Sequence, residues 1–384
     1  PDPALTVPNG SVEQAGTDAS NPANWQQSSW GTNSPSFAWV NDGHTGAKSA
    51  KITMSNYTDG DAKWYFDPIS TDTLLPGHQY RYTTWYKASA GVIPHAVAMY
   101  INADGNEEYF GMPDPQPNGT TDWQQYSETF RVPENATAVS VFLFISQNGS
   151  LQVDDAGLNT YSPVGFDRPL LTMTFDDGHE DNANNALPLI NQYDFKTTHC
   201  FATTFIEGQP NQVTNNVLAF YNSGHEICSH SVTHPFMTTL TDAALTYESQ
   251  HAKQYLESIT GTPVNNFATP YGDYNARVNN ELKKHYRSHR TVDEGFNSKD
   301  NFDIYRVRVQ NIFSTTTAAQ VRTWVEQAKT DKTWLVLVYH RIANDPGQYD
   351  SYINIFAEHL QTIQQSGIAV KTYQSALDEV TTQL

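Results

Sequence analysis

Two adjacent aspartates and a pair of histidines are the residues of this chain whose types and spacing could do chemistry. Asp176 and Asp177 follow an apolar run in LTMTFDDG, and His230 and His234 stand four positions apart in HSVTHP. Two neutral imidazoles and a carboxylate suit a divalent metal that prefers nitrogen and oxygen ligands, and they leave positions open for water and substrate. We predict that Asp177, His230 and His234 bind this metal and that Asp176 acts as general base on a water there.

The side-by-side aspartates raise an electrostatic question that a bound cation answers. Like charges this close resist being ionised together. A metal ion at Asp177 offsets the repulsion, so Asp176 stays ionised beside it. Gly178 lets the chain turn, so that adjacent side chains, which point to opposite faces of a regular strand, both approach one site.

Each motif has a more ordinary explanation when it is taken alone. An Asp-Asp-Gly after a strand is usually a turn, and a His-x3-His pair is more often two unrelated surface histidines. Other residues nevertheless follow apolar runs in the same way, namely Pro270, Tyr271, Asp293 and His340. If each run is a strand of a parallel barrel, these strand ends collect on one face, where such barrels place their active sites.

The elements that must position these residues change in kind along the chain. Up to about residue 160, short alternating runs rich in Tyr, Trp, Thr and Val are separated by turn clusters, which is typical of an antiparallel sandwich. Beyond NTYSPVGFDRP, apolar runs such as LLTMTF and TWLVLVYH alternate with helix-like segments, which indicates βα units around a parallel sheet or barrel. We therefore predict two domains, residues 1–161 and 162–384.

Composition narrows the partners and the compartment. The formal charge is −19 with only 22 Lys and Arg, which argues against nucleic acid as a partner. The chain is 38% hydrophobic, enough for globular cores, yet no apolar run reaches the roughly 20 residues of a transmembrane segment. It starts at Pro1 without a methionine and is rich in Thr, Asn, Gln, Ser, Tyr and Trp, so we expect a secreted or cell-surface protein whose targeting segment, if any, is gone.

The two cysteines, Cys200 and Cys228, both lie in apolar stretches. Two cysteines neither set a disulfide framework nor make a cysteine-type zinc site. Two buried free thiols are therefore our main expectation, and a single bridge is the alternative.

The motifs resemble, in family order, those of the NodB-type polysaccharide deacetylases, the fourth carbohydrate esterase family. TFDDG is similar to the first motif, HSVTHP to the second, TPYG to the end of the third and LVYH to the fifth. The resemblance covers residues 168–384 and implies a distorted (β/α)7 barrel. It also implies that Asp176 is the general base and that the metal on Asp177, His230 and His234 is usually Zn2+, with Co2+ or Ni2+ as alternatives.

The same resemblance assigns further roles at the strand ends. His340 would be the general acid that protonates the leaving amine. The backbone N–H of Tyr271, next to Pro270, would help to hold the oxyanion. Leu337 and Val338 would form the small pocket for the acetyl methyl group.

The chain departs from the family pattern in two motifs. Ala268 stands where the third motif usually begins with an arginine that orients the base, and the fourth motif is reduced to RTVDEGFN. We expect Arg290 or Asp293 to supply the missing support to Asp176 or His340.

The first domain resembles the jelly-roll carbohydrate-binding modules that precede many glycan-active enzymes. VPNGSVE, GHTGAKSAKI and LQVDDAGL carry this likeness. In such modules a structural Ca2+ often ties an N-terminal glutamate to an aspartate of the last strand, which makes Glu13 and Asp155 the candidate ligands, with Asp154 as the alternative to Asp155. Surface acids of a plain sandwich are the competing explanation.

The main functional hypothesis is a metal-dependent hydrolase that removes N-acetyl groups from an acetylated polysaccharide of the N-acetylglucosamine type, such as chitin or poly-N-acetylglucosamine. One alternative is an esterase that removes O-acetyl groups from an acetylated xylan-like glycan. The other is a catalytically weak glycan-binding protein. All three predict a polysaccharide partner and no nucleic acid.

Overall fold

The computed structural model describes residues 4–115, 121–204 and 210–384. The chain divides into two compact units, Pro1–Ser162 and Pro163–Leu384. In the described part of the chain, no helix is both long enough and apolar enough to cross a bilayer.

The first unit consists of two antiparallel sheets. Its strands are β1 (Ala4–Leu5), β2 (Trp25–Trp30), β3 (Ser34–Val40), β4 (Ser49–Ser55), β5 (Asp61–Phe66), β6 (Ile69–Ser70), β7 (Gln79–Ala88), β8 (His95–Asn102), β9 (Glu107–Met112), β10 (Gln124–Arg131), β11 (Ala136–Ile145) and β12 (Gly149–Thr160). One sheet has the order β10-β7-β12-β4-β3, with β1 on β12, and the other has the order β2-β5-β11-β8-β9, with β6 on β11.

Period-two alternation builds the core of this sandwich. Along β7 every second residue is buried, so Tyr80, Tyr82 and Tyr86 join the core cluster, in which Trp64 and Leu151 also lie. The prediction of an all-β N-terminal sandwich is confirmed.

The second unit alternates strands and helices. Its strands are β13 (Leu170–Phe175), β14 (Thr198–Phe201), β15 (Glu226–Ser229), β16 (Asn266–Ala268), β17 (Ser288–Glu294), β18 (Val307–Asn311), β19 (Trp334–Tyr339), β20 (Ile342–Ala343), β21 (Ser351–Tyr352) and β22 (Ala369–Val370). Its helices are α1 (Asp181–Asn185), α2 (Leu187–Gln192), α3 (Pro210–Asn222), α4 (Asp242–Thr246), α5 (Ala252–Thr260), α6 (Ala276–Leu282), α7 (Ala318–Asp331), α8 (Ile353–Ser366) and α9 (Tyr373–Thr381).

Seven parallel strands close into a ring in this unit. They follow each other as β14-β15-β16-β17-β18-β19-β13, the ring closes because β13 also pairs with β14, and β22 adds to β13 from outside the ring. Every residue of β13 and of β19 is buried, as expected for parallel strands that are covered on both faces. The predicted α/β barrel with seven strands is confirmed.

The two faces of the barrel strands have different neighbours. Met173 of β13 and Leu337 of β19 share a cluster with Val321 of α7 and Phe356 of α8, so these helices cover the outside of the barrel. Thr172 and its alternate neighbours along β13 face the opposite way, toward the interior. Asp176 continues that inward series at the carboxyl end of the strand.

The two cysteines form a disulfide, so the expectation of two free thiols is wrong. Cys200 of β14 and Cys228 of β15 are direct partners in the register of two parallel strands. The linear sequence separates them by 28 positions and does not reveal this pairing. Both side chains are buried and share a small cluster with Ala268.

Candidate active site

The predicted metal ligands come together at the carboxyl ends of the barrel strands. Asp177 follows β13, and His230 and His234 follow β15. The Nε2 atoms of His230 and His234 lie 3.3 and 3.1 Å from Oδ1 of Asp177. The candidate ligand atoms of the three residues all lie within 4.8 Å of one another.

The donor set of this cluster fits a metal such as zinc. Nδ1 of His230 lies 2.8 Å from the carbonyl oxygen of Ala268, which can only accept, so Nδ1 carries the proton and the neutral ring presents a free lone pair at Nε2. Oδ1 of Asp177 is buried and receives no hydrogen bond. Two imidazole nitrogens and a carboxylate oxygen therefore converge on one point.

The charges of the cluster are strongly coupled. Burial alone would raise the pKa of Asp177, but the adjacent imidazoles of His179, His230 and His234 outweigh it and lower that pKa. Burial would lower the pKa of His230, but the nearby carboxylates of Asp176 and Asp177 raise it overall. At acid pH a cation must compete with protons for these ligand atoms, so its affinity depends on pH.

Unusual backbone conformations concentrate around the same point. Asp177, Ser231, His234 and Tyr271 have φ of 69°, 71°, 58° and 58°, a left-handed region that side chains other than glycine rarely occupy. Gly178 continues the turn with φ 86°, and a Cβ there would lie 2.4 Å from the ring of Phe201. The turn takes Asp177 out of strand geometry, so its side chain and that of Asp176 both reach the site.

Arg290 supports the predicted base. Its guanidinium donates a hydrogen bond to Oδ1 of Asp176, and both side chains are 2% exposed. Burial would raise the pKa of Asp176, but the charge of Arg290, followed by those of His230 and His340, lowers it. The carboxylate is therefore held ionised inside the barrel.

The position of this arginine explains the departure at Ala268. Ala268 of β16 pairs directly with Arg290 of β17. Both residues belong to the inward-facing series of their strands, so the small side chain at 268 leaves the interior to the arginine of the neighbouring strand. Of the two predicted supports, it is Arg290 that contacts the base.

Asp293 takes part in a different interaction. Its carboxylate accepts hydrogen bonds from the Tyr274 hydroxyl at 2.6 Å and from Nε of Arg306 at 2.9 Å. Tyr274 lies before α6 and Arg306 directly before β18. The structure thus does not bring Asp293 to Asp176 or His340.

Leu337 and Val338 do not line one pocket. Successive residues of a strand point to opposite faces. Leu337 packs in the outer cluster under α7 and α8, and Val338 packs with Val309 and Val336 on the other face. The structure thus does not bring the two side chains together, and a methyl pocket stays a prediction.

His340 lies at the carboxyl end of β19, and a buried amide holds its backbone in place. Asn182 donates to the carbonyl oxygen of His340 at 2.7 Å and accepts from the N–H of Ile342 at 2.8 Å. Burial lowers the pKa of His340, and the charges of Asp176 and Asp177 oppose this effect. His340 thus lies within electrostatic range of both aspartates.

Pro270 and Tyr271 form a short 3-10 turn after β16. The Tyr271 ring lies edge-on to the His234 ring, with centroids 4.5 Å apart. Gly272 follows with φ 65°, and a Cβ there would lie 2.1 Å from the side chain of Val292. This turn places the Tyr271 ring beside the metal-binding cluster.

Two contacts of the site were not predicted from the sequence. Nε2 of His179 lies 3.1 Å from Oδ2 of Asp177, on the oxygen that does not face the other histidines. Asn182 is the second such residue. Both belong to DDGHEDN, directly after the paired aspartates, and that proximity was the available signal.

The two acids predicted to bind calcium in the first unit both accept hydrogen bonds from the same loop, residues 44–48. Glu13 accepts hydrogen bonds from two backbone N–H groups of the loop 44–48, and Asp155 accepts one from Thr45 and contacts His44. Asp154 accepts from the N–H of His44. A calcium ion at these acids stays a prediction.

Comparisons with known proteins agree with this architecture. Residues 164–287 match the family model described as polysaccharide deacetylase, and residues 9–150 match the one described as carbohydrate binding domain. Chitin deacetylase 1 of Cryptococcus neoformans var. grubii is 27% identical over 112 residues, which cover 29% of this chain and 23% of that protein. Chitin deacetylase 2 of the same organism is 26% identical over 125 residues, 33% of this chain and 27% of that protein. The chain thus aligns with about a quarter of the length of these relatives.

Two of the solved structures that are partly similar to this chain are the following. The Xyl-CE4 domain of a multidomain xylanase from the hindgut metagenome of Trinervitermes trinervoides has a TM-score of 0.42 and 17% identity, covering 55% of this chain and 91% of that one. The family 4 carbohydrate esterase of Streptomyces lividans has a TM-score of 0.39 and 20% identity, covering 53% and 91%. The two family matches are the findings that assign the chain: it carries a polysaccharide deacetylase domain at residues 164–287, and a carbohydrate-binding domain at residues 9–150 precedes it.

Proposed function

We propose that this protein removes N-acetyl groups from a polysaccharide of the N-acetylglucosamine type, such as chitin or poly-N-acetylglucosamine, outside the cell. The observation that carries the proposal is the buried cluster of Asp177, His230 and His234 with the ionised carboxylate of Asp176 beside it. Zn2+ is the cation that this set of two nitrogens and one oxygen suits best, and Co2+ or Ni2+ would also fit.

The ligand residues would hold the cation, which when bound supplies Lewis acidity that polarises the acetyl carbonyl and acidifies water. Asp176 would take the proton of the attacking water. Arg290 binds Oδ1 of this carboxylate, so the other oxygen is left for the water, and the lowered pKa keeps the base ionised at neutral pH.

Tyr271 and His340 would act at the two ends of the amide bond. The backbone N–H of Tyr271 would donate a hydrogen bond to the developing oxyanion. His340 would give its proton to the departing nitrogen, which cannot leave as an anion. Its lowered pKa makes the imidazolium a readier donor, although fewer molecules carry that proton at neutral pH.

Substitution of the base and of one ligand tests the proposal. Asp176→Asn should keep the bound metal and lose acetate release from acetylated chitooligomers, because it removes only the base. His230→Ala should lose both metal and activity, and His251→Ala, at a histidine stacked on Tyr247, is the matched control. Metal content and released acetate are the measurements, and full acetate release by Asp176→Asn would refute the assigned base.

One observation favours an O-acetyl esterase as the second candidate. Because burial lowers the pKa of His340, a reaction that depends less on its proton suits the site, and an alkoxide is a better leaving group than an amine. The two functions are separated by acetate release from acetylxylan and from acetylated chitooligomers. For an esterase, His340→Asn should lose little activity on acetylxylan, whereas for an amidase it should lose most activity on the chitooligomers.

A further inference from the structure

Two large aromatic rings stand exposed beside the metal-binding cluster. Phe236 and Tyr271 are 54% and 55% exposed. Their rings stack with centroids 4.2 Å apart and planes 15° from parallel, and Tyr271 contacts His234 edge-on. Exposed apolar surface next to a buried polar site indicates contact with a ligand.

The loops that carry this aromatic pair are tied to each other. Phe236 precedes the 3-10 turn Met237–Thr239, and Asp273 follows Tyr271 by two positions. The Asp273 carboxylate accepts hydrogen bonds from the N–H of Thr238 at 2.7 Å and from its hydroxyl at 2.9 Å. The pair is therefore held in place before any ligand arrives, which reduces the entropy lost on binding.

Another exposed ring lies beside the predicted general acid. Tyr349 is 56% exposed, with its ring centroid 5.9 Å from that of His340 and 5.7 Å from that of Phe313. His234 follows β15, and His340 directly follows β19. In the closed ring these strands are separated by β14 and β13 on one side and by β16, β17 and β18 on the other, so the two aromatic positions lie across the barrel mouth from each other.

We infer that the Phe236–Tyr271 pair and Tyr349 bind the sugar units on either side of the unit that loses its acetyl group. This inference rests on the proposed function and makes it more specific. The C–H face of a pyranose is apolar and flat, so it packs on an aromatic ring, while the sugar hydroxyls stay in water. Aromatic contacts on both sides of the reacting unit favour internal units of the polymer over its ends.

The test uses the metal-loaded full chain and N-acetylglucosamine oligomers of one to six units. Phe236→Ala and Tyr349→Ala are the variants, because Tyr271 also contributes its backbone to the proposed chemistry. Each should raise KM for the pentamer about tenfold, the loss of one good ring contact, with a smaller change in kcat and none for the monomer. Tyr247→Ala, at an exposed ring stacked on His251 of the same unit, is the matched control.

The position of the deacetylated unit, read by mass spectrometry of the pentamer, gives a result that a purely structural role would not change. The wild-type protein should act on internal units, and the two variants should shift the position toward opposite ends. Terminal deacetylation by the wild type, or variants that match Tyr247→Ala in KM and position, would overturn the inference while the proposed function stands. Absence of acetate from every oligomer, with acetate released from acetylxylan, would overturn the proposed amidase activity and with it this assignment to aminosugars.

Discussion

Removal of the Arg290 side chain should impair the base without removing the metal ligands. In Arg290→Met, Asp176 stays buried and loses its largest stabilising charge, so its pKa rises and a smaller fraction is ionised at neutral pH. A hydrogen bond to a charged group contributes about 1.5–3 kcal/mol, so kcat/KM at pH 7 should fall about 10- to 100-fold. Breaking a buried ion pair from one side should also lower the free energy of unfolding by about 3–5 kcal/mol.

The pH profile of kcat/KM distinguishes this effect from general damage. Its acid limb should move to higher pH in Arg290→Met, so that activity recovers in part under alkaline conditions. Arg306→Met is the matched control, because it breaks the Arg306–Asp293 pair, which does not touch the base. An acid limb in Arg290→Met at the same pH as in the wild type would refute the role of Arg290 in keeping Asp176 ionised.

The register of the barrel allows a stricter version of the experiment. Ala268 and Arg290 are direct partners on neighbouring strands. The double variant Ala268→Arg, Arg290→Ala moves the arginine back to the position where the family usually carries it. It should regain part of the activity lost in Arg290→Ala, whereas the single variant Ala268→Arg should fold poorly, because two guanidinium groups would share one buried space.

Four further predictions concern stability and the support of the site. Replacing Cys200 and Cys228 together by alanine should lower the free energy of unfolding in urea by about 3.6 kcal/mol, the loop-closure term for a separation of 28 residues. Burial lowers the pKa of His225 and of His359 to about 4, against 6.5 in the unfolded chain. Between these pH values the unfolded chain therefore binds more protons than the folded chain. Denaturant unfolding should accordingly show stability falling from pH 6.5 toward pH 4 by about 1.4 kcal/mol per pH unit for each histidine, less in His359→Gln. Asn182→Ala should lower kcat at unchanged metal content and cost about 1–3 kcal/mol in urea, because it leaves two buried backbone groups unpaired. Zinc at a thousandfold excess over Kd should stabilise the chelator-treated protein by about 4 kcal/mol in thermal unfolding, an effect absent from Asp177→Ala.

The fold was predictable because it depends on local periodicity. Alternating residues such as Tyr80, Tyr82 and Tyr86 indicate a sandwich strand by themselves, and the uninterrupted apolar run in β19 indicates a strand buried on both faces. The same periodicity does not show which strands lie next to each other, because strand pairing joins residues that are far apart in the sequence. For this reason the partners Cys200 and Cys228 were expected to be free thiols, although neighbouring strands hold them side by side.

Within the site, the roles that depend on residues close in the sequence were easier to predict than those that depend on distant residues. Asp176 and Asp177 are consecutive, so the sequence alone shows that they lie side by side. The side chains of Leu337 and Val338 do not lie together, because consecutive residues of a regular strand point to opposite faces. Asn182 was not predicted, because an asparagine at the start of a helix has many ordinary roles. Its partners are backbone groups of His340 and Ile342, which lie far from it in the sequence, after β19.

Arg290 illustrates why a missing motif residue need not mean a missing function. The base requires a positive charge at one point inside the barrel, and it does not require that charge to come from a particular strand. Two inward positions that pair across β16 and β17 project into the same layer, so either can bring a long guanidinium side chain to Asp176. A small residue at one position suits an arginine at the other, because two guanidinium groups buried side by side would repel each other. The alanine at 268 and the arginine at 290 are in this sense a single structural feature. When each strand is considered alone, Ala268 appears only as a missing motif arginine and Arg290 as an unrelated buried charge.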